Sequence, residues 1–69
     1  MNLFAVRLRE LRKEKKISLN ELAEQLEISV RAYQYYEEGK RYPDFLGLLT
    51  LADIFDVNLD YLVGRSDQR

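Results

Sequence analysis

The strongest constraint on the fold is a pair of helix-start signals that stand eleven residues apart within residues 18–37. Ser18 is followed three residues later by Glu21, the spacing of a capping box in which each side chain bonds the other residue's free backbone N–H. Ser29 is a second N-cap candidate and opens a segment with three tyrosines. The pattern predicts two short helices joined by a tight turn, and such helices can cross steeply.

Helix signals recur along the rest of the chain. Apolar residues at helical spacing predict five helices with these approximate bounds: Leu3–Lys15, Leu19–Leu26, Val30–Glu38, Phe45–Phe55 and Leu59–Val63. A residue that commonly caps helices stands ahead of each one: Asn2, Ser18, Ser29, Asp44 and Asn58. Gly39 and Gly64 are placed to end the third and fifth helices. No stretch alternates apolar and polar residues over strand length, so we expect an all-α, compact five-helix domain over residues 1–65. Residues 66–69 should be a frayed tail or the start of a linker.

The fourth predicted helix carries more apolar residues than one core-facing stripe needs. The stripe comprises Phe45, Leu48, Ala52 and Phe55. A second apolar set lies outside the stripe: Leu46, Leu49 and Ile54. With Tyr61 this set forms a candidate dimer interface, because a small monomer seldom exposes so many large apolar residues. The same residues could instead complete a tightly wrapped core, and the sequence leaves both interpretations open.

Composition excludes several classes of protein. The chain has no Cys and no His, and it lacks a Gly-rich phosphate loop and the spacing of metal ligands. An enzyme, a metal site and a disulfide scaffold are therefore not expected. No apolar run approaches the roughly 20 residues of a membrane span, and charged residues begin too early for a signal peptide. We expect a cytoplasmic protein with no cofactor and no evident small-molecule ligand.

Charge is unevenly distributed along the chain. The net charge of −1 is no basic footprint for nucleic acid. Residues 1–41, however, carry nine Lys/Arg and seven Asp/Glu, whereas residues 42–69 carry two and five. Positive charge is thus concentrated in the half that contains the helix pair. This asymmetry is compatible with nucleic-acid binding and equally with a solvated surface.

Several segments together carry a family resemblance. They are RLRELRKEKKIS in the first helix, ELA in the second, IS before the third, YEEGKRYP after it, and LADIFDVNLDYLVGR at the end. The span from about Leu3 to Arg65 resembles the lambda-repressor-like, xenobiotic-response-element class of helix-turn-helix regulators. The resemblance implies a domain that binds double-stranded DNA, usually as a two-fold homodimer on a near-palindromic operator, and acts as a repressor or an activator.

The resemblance also implies roles for particular residues. A buried ion pair would join Arg12 of the first helix to Glu37 of the third. The residues expected to face base edges are Val30, Arg31, Gln34 and Tyr35. The loop residues expected to hold the phosphate backbone are Lys40 and Arg41. Ser18 and Ser29 join them because helix amino termini bind phosphate through free N–H groups. Tyr61 matches a position that often lies in a dimer interface.

Three departures from the family pattern bear on function. Leu19 replaces a Gln that commonly bonds phosphate. Glu27 stands where Gly often occupies the turn, so either the turn is reshaped or a non-Gly residue takes a positive φ at a cost of about 1 kcal/mol. Val30 replaces a polar residue at the head of the third helix. The fold should tolerate all three changes, while base-specific binding loses some support.

Side-chain chemistry suggests how bases would be read. Arg31 suits guanine and Gln34 suits adenine, each through two hydrogen bonds, and Val30 suits a thymine methyl group. Tyr35 could bond a phosphate or touch a base.

The alternative function is a protein-binding module on the same fold, such as an anti-repressor or antitoxin-like factor. Leu19, Val30 and the tyrosines of the third helix would then meet a protein partner or co-regulator.

Overall fold

Five α-helices make up the fold of the computed structural model, which describes residues 3–69: α1 Leu3–Lys15, α2 Leu19–Leu26, α3 Val30–Glu38, α4 Phe45–Phe55 and α5 Leu59–Leu62. The predicted all-α architecture is confirmed, and only α5 is one residue shorter than expected. None of these helices is long and apolar enough to cross a membrane. The proposed Asn2 cap lies outside the described residues.

Side-chain caps fix where four of the helices begin. The oxygens of Ser18, Ser29, Asp44 and Asn58 each accept the backbone N–H of the residue three positions later. At α2 the predicted capping box is complete, because the Glu21 carboxylate also accepts the Ser18 backbone N–H at 3.1 Å. Each cap satisfies one of the N–H groups that a helix start leaves without a partner.

The core draws side chains from every helix. Its largest fully buried members are Leu8, Leu11, Leu22, Tyr33, Leu51, Phe55 and Leu62. Burying each contributes roughly 1.5–3 kcal/mol relative to leaving it in water. Helix α1 packs against α3, α4 and α5, and α2 packs against α3. Helix α3 is therefore held between α1 and α2, and its outer edge stays accessible.

The apolar residues of α4 divide differently from the sequence prediction. Leu51, Ala52 and Phe55 are buried, but Phe45 is 64% exposed. Phe45 was wrongly assigned to the core stripe: it is the first residue of α4 and is exposed, whereas Pro43, two residues earlier, is buried.

The candidate dimer residues on α4 are only partly free. Leu46 is 70% exposed and Leu49 is also exposed, whereas Ile54 packs in part against the core. Ile54 thus completes the core in part, and the role of Leu46 and Leu49 in a dimer stays a prediction.

Tyr61 is not part of an exposed patch. Its ring lies against the Arg7 guanidinium at 4.1 Å and the Arg69 guanidinium at 5.3 Å. Only 8% of the residue is exposed. This placement corrects the sequence-based assignment of Tyr61 to a dimer surface, because contacts within the chain already cover the ring.

Arg7 holds the carboxyl-terminal segment onto α1. Its buried guanidinium donates to the backbone oxygens of Tyr61 and Ser66, the latter at 2.7 Å, and to the Asp67 carboxylate at 3.0 Å. The sequence analysis assigned no role to Arg7, which falls three residues after the buried Phe4 and is itself buried. Its long side chain reaches across the core edge to acceptors that are remote in sequence.

Arg69 holds the end of residues 66–69 against α1. Its guanidinium makes two hydrogen bonds to the Glu14 carboxylate, at 2.8 and 2.7 Å, which hold the pKa of Glu14 below its usual value. Its backbone oxygen accepts the Asn58 N–H at 2.9 Å. The expectation that residues 66–69 are frayed is therefore wrong, while the domain boundary at residue 65 stays a prediction.

The turn between α2 and α3 is made by Glu27 in the left-handed region, with φ 58° and ψ 42°. Of the two alternatives that the sequence left open, the positive φ is the one observed. The Glu27 backbone N–H closes α2 through bonds to the oxygens of Ala23 and Glu24. The tight turn thus keeps its shape at the cost of backbone strain in a non-Gly residue.

We predict that Glu27→Gly raises the melting temperature by about 2–4 °C, because relief of the left-handed strain outweighs the added freedom of the unfolded chain. Glu24→Gly is the matched control, since this exposed residue lies inside α2 and its replacement should lower the melting temperature. Thermal unfolding followed by circular dichroism measures both. A lower melting temperature for Glu27→Gly would contradict the assigned strain.

We also predict that ending the chain after Arg65 lowers the melting temperature by about 4 °C or more, since the buried Arg7 guanidinium then loses two of its acceptors. Asp67→Ala should have little effect, because the Asp67 side chain is fully exposed. Calorimetry gives the melting temperature of both variants and so separates the contribution of the Asp67 side chain from that of residues 66–69 as a whole. An unchanged melting temperature for the shortened chain would restore the view of residues 66–69 as a dispensable tail.

Candidate nucleic-acid interface

Helix α3 has one buried and one accessible side. Tyr33 and Glu37, four residues apart, are buried. Arg31 is exposed, and Gln34 and Tyr35 are half-buried on the other side. Gly39 ends the helix with φ 76°, where only glycine avoids strain. The chain then turns directly into the Lys40–Arg41 loop.

A buried carboxylate fixes the orientation of α3 against α1. The Glu37 carboxylate lies 2.6 Å from Arg12 Nε and 3.3 Å from Arg12 Nη2. Its Oε2 atom also accepts the Tyr33 hydroxyl at 2.7 Å. Arg9, the second cation, is more distant, with Nε 3.9 Å from Glu37 Oε1. The Arg12–Glu37 ion pair implied by the family resemblance is present in this geometry.

The network shifts the pKa values of its members. The hydrogen bond to Glu37 raises the pKa of the Arg12 guanidinium, which stays charged. Burial, followed by the hydrogen bond to Glu37, raises the pKa of Tyr33 well above its usual value. The sequence analysis assigned no hydrogen bond to the Tyr33 hydroxyl. Its position four residues before Glu37 was the available signal, since residues at that spacing meet on one side of a helix.

The residues proposed to read bases share the accessible edge of α3 but differ in freedom. Val30 is partly buried and packs in part against the core. Arg31 is exposed, and its Nε donates to the Tyr35 hydroxyl at 3.3 Å. Gln34 lies between Arg31 and Tyr35 along the helix and is half-buried.

Tyr35 gathers three cations around one ring. The distances to its ring centroid are 5.3 Å for Arg31, 5.9 Å for Lys40 and 5.1 Å for Arg41. The hydrogen bond from Arg31 and these positive charges lower the pKa of Tyr35. Arg31 and Tyr35 of the base-edge candidates therefore adjoin the two cations of the loop.

The loop is fixed to α3 through the backbone as well. The N–H groups of Lys40 and Arg41 both donate to the Tyr35 carbonyl, at 2.9 and 3.4 Å. Lys40 Nζ lies 3.2 Å from a Glu38 oxygen, and both side chains are exposed, so this ion pair is weak and can open. Both cations are thus available to an external anion.

Ser18 and Ser29 stand at the starts of α2 and α3. Each hydroxyl oxygen accepts a backbone N–H of its own helix at 3.0 Å. The hydroxyl proton stays available for donation, as do the first backbone N–H groups of each helix. Both sites can meet phosphate without a basic side chain. Residues 3–69 contain no group of three or more His, Cys, Asp or Glu side chains arranged to hold a metal ion.

The fold and this surface define a family. A helix-turn-helix family model matches residues 8–62, and the chain belongs to this family, in its lambda-repressor-like form. The family is one of DNA-binding transcription regulators and not of enzymes.

One curated relative and two solved structures illustrate the similarity. The uncharacterized HTH-type transcriptional regulator YqaE of Bacillus subtilis is 40% identical over 68 residues, which cover 97% of this chain and 59% of the relative. The chain thus spans about six-tenths of that relative's length.

A transcriptional regulator from Listeria innocua superposes with a TM-score of 0.89 at 33% identity, over 100% of this chain and 64% of that one. The P22 c2 repressor, in complex with a synthetic operator, has a TM-score of 0.85 at 27% identity, over 96% of this chain and 100% of its own.

We predict that Arg12→Ala lowers the free energy of unfolding by about 2–3 kcal/mol, because it leaves the buried Glu37 carboxylate with the Tyr33 hydroxyl as its near partner. The loss should be below the roughly 3–5 kcal/mol of a fully isolated charge, since Arg9 can move closer. Arg9→Ala is the control and should cost less than about 1 kcal/mol. Urea denaturation measures both, and equal losses would contradict the central position of Arg12.

Proposed function

We propose that this chain is a sequence-specific DNA-binding transcription regulator of the cytoplasm that acts as a repressor and places α3 in the major groove of its operator. One observation carries the proposal. The accessible edge of α3 adjoins the Lys40–Arg41 loop, and a buried ion pair holds the helix in place behind it. A rigid helix with free polar side chains beside a phosphate-binding loop has the geometry of groove recognition.

Phosphate binding would come from both side chains and helix ends. Lys40 and Arg41 supply positive charge, and the starts of α2 and α3 supply N–H groups near Ser18 and Ser29. Helix ends contribute without changing the net charge. A chain with a pI near 5.4 can therefore still bind a polyanion on one side.

Base recognition would come from the edge of α3. Arg31 presents donors suited to guanine, and Gln34 presents the donor and acceptor that adenine requires. Val30 is suited to a thymine methyl group, although its packing against the core limits its reach. These three residues carry the proposed sequence preference, and the loop carries affinity that is independent of sequence.

We propose further that two copies bind together, as a two-fold homodimer that joins through α4. Leu46 and Leu49 offer exposed apolar surface for this contact, with Phe45 exposed beside them. A dimer doubles the phosphate contacts and requires two half-sites in a near-palindromic operator.

The second candidate function is a protein-binding module on the same fold, with a protein partner or co-regulator in place of DNA. The exposure of Phe45 and Leu46 near the basic loop favours it, because aromatic residues are enriched at the centres of protein interfaces. The two functions differ in salt dependence. DNA affinity falls steeply with salt, whereas an apolar protein contact does not.

The test compares Arg31→Ala with the double variant Lys40→Ala, Arg41→Ala on duplexes selected from a random pool. Arg31→Ala should lose at least tenfold in preference for the selected duplex over a scrambled one, with an unchanged melting temperature. The double variant should weaken binding to both duplexes similarly and flatten the dependence of log Kd on log salt by about two for each bound subunit.

Three outcomes would contradict these assignments. Equal weakening of both duplexes by Arg31→Ala would make Arg31 a phosphate contact. An unchanged salt slope would remove Lys40 and Arg41 from the interface. If the wild-type chain shifts no duplex but retains a protein complex at high salt, the second candidate function replaces the first.

A further inference from the structure

We infer that Tyr35 is a positioning residue that holds Arg31 ready to read a base, and that it is not itself a base contact. This inference rests on the proposed function and replaces the base contact that the family resemblance implied for Tyr35. It starts from one contact, the 3.3 Å hydrogen bond from Arg31 Nε to the Tyr35 hydroxyl, which joins two residues four positions apart on α3.

The contact with Tyr35 is made by one atom of Arg31, Nε. The Nε donor is engaged, while neither Nη atom makes a hydrogen bond to another group among residues 3–69. The two Nη groups form the outer end of the guanidinium, and they can present a pair of donors to guanine O6 and N7. Tyr35 therefore restrains the guanidinium at Nε and leaves the two Nη groups available to a base.

The Tyr35 ring adds a second restraint on the same group. Arg31 lies 5.3 Å from the ring centroid, within the range of a cation–π interaction. A free arginine side chain loses considerable rotamer freedom when it binds, and a side chain that is already held loses less. This smaller loss of rotamer freedom should increase sequence preference, because Arg31 is proposed to bind only where its base is present.

Tyr35 also sets the position of the loop, by a separate part of the residue. Its carbonyl accepts the N–H groups of Lys40 and Arg41, and its ring lies 5.9 and 5.1 Å from their charged groups. The hydroxyl takes part in neither contact. Removing the hydroxyl alone should therefore disturb Arg31 and leave the loop in place.

The hydroxyl also faces mixed charge. The Arg31 guanidinium donates to the hydroxyl, the cations of Arg41 and Lys40 lie near the ring, and the Glu38 carboxylate pairs with Lys40. Positive charge dominates, which agrees with the lowered pKa of Tyr35.

The DNA experiment is a double-mutant cycle with Tyr35→Phe, Arg31→Ala and their combination, on the selected and scrambled duplexes. Tyr35→Phe should reduce the preference for the selected duplex about fivefold. It should leave the salt slope unchanged and add no further loss when Arg31 is already Ala. Tyr36→Phe is the matched control, because within residues 3–69 its ring meets Tyr33 and no cation, and it should change nothing.

A second experiment needs no DNA. NMR titration of the Tyr35 ring should give a higher pKa in Arg31→Ala than in the wild-type chain, with a smaller rise in Lys40→Ala, because the hydrogen bond comes from Arg31. Relaxation of the Arg31 Nε–H group should show faster motion in Tyr35→Phe. An unchanged Tyr35 pKa in Arg31→Ala would overturn the inference whether or not the protein binds DNA.

The remaining outcomes separate this inference from the proposed function. An equal loss from Tyr35→Phe with and without Arg31 would show that Tyr35 touches DNA directly and would overturn the positioning role alone. If the wild-type chain prefers no duplex, the proposed function fails and the positioning role fails with it.

Discussion

The buried carboxylate of Glu37 is the interaction on which the accessible surface depends. A charge with 8% exposure must be neutralised by partners that cannot move away, and here they are the Arg12 guanidinium and the Tyr33 hydroxyl. The partners lie on α1 and α3, so neutralising the charge also fixes the angle between these helices. Rotation of α3 about its axis would separate Glu37 from Arg12 and expose Tyr33, and both changes are costly.

This arrangement keeps structure and recognition on opposite sides of one short helix. The buried side supplies the ion pair and the Tyr33 ring, while the accessible side keeps Arg31, Gln34 and Tyr35 outside the core. The same helix end leads into the basic loop through Gly39. A chain of nearly neutral net charge thus presents a local positive surface, because position and not total charge determines what an anion meets.

Much of the fold was predictable because its signals are local. N-caps at Ser18, Ser29, Asp44 and Asn58 depend on residues three positions away, and the structure confirms all four. Some contacts were missed because they join residues that are distant in the sequence. Arg7 meets Ser66 and Asp67, and Tyr61 is covered by Arg69, although neither contact has a periodicity or motif that a sequence could reveal.

The sequence by itself determined the helices, their order and their caps, because each follows from spacing within a few residues, and the family resemblance implied which residues of α3 face outward. Only the tertiary structure decided which long side chains are shared between distant elements. It placed Arg31 on Tyr35, closed the carboxyl-terminal segment onto α1, and left Phe45 outside the core. Such contacts depend on distances between elements, and those distances are set only when the whole core packs.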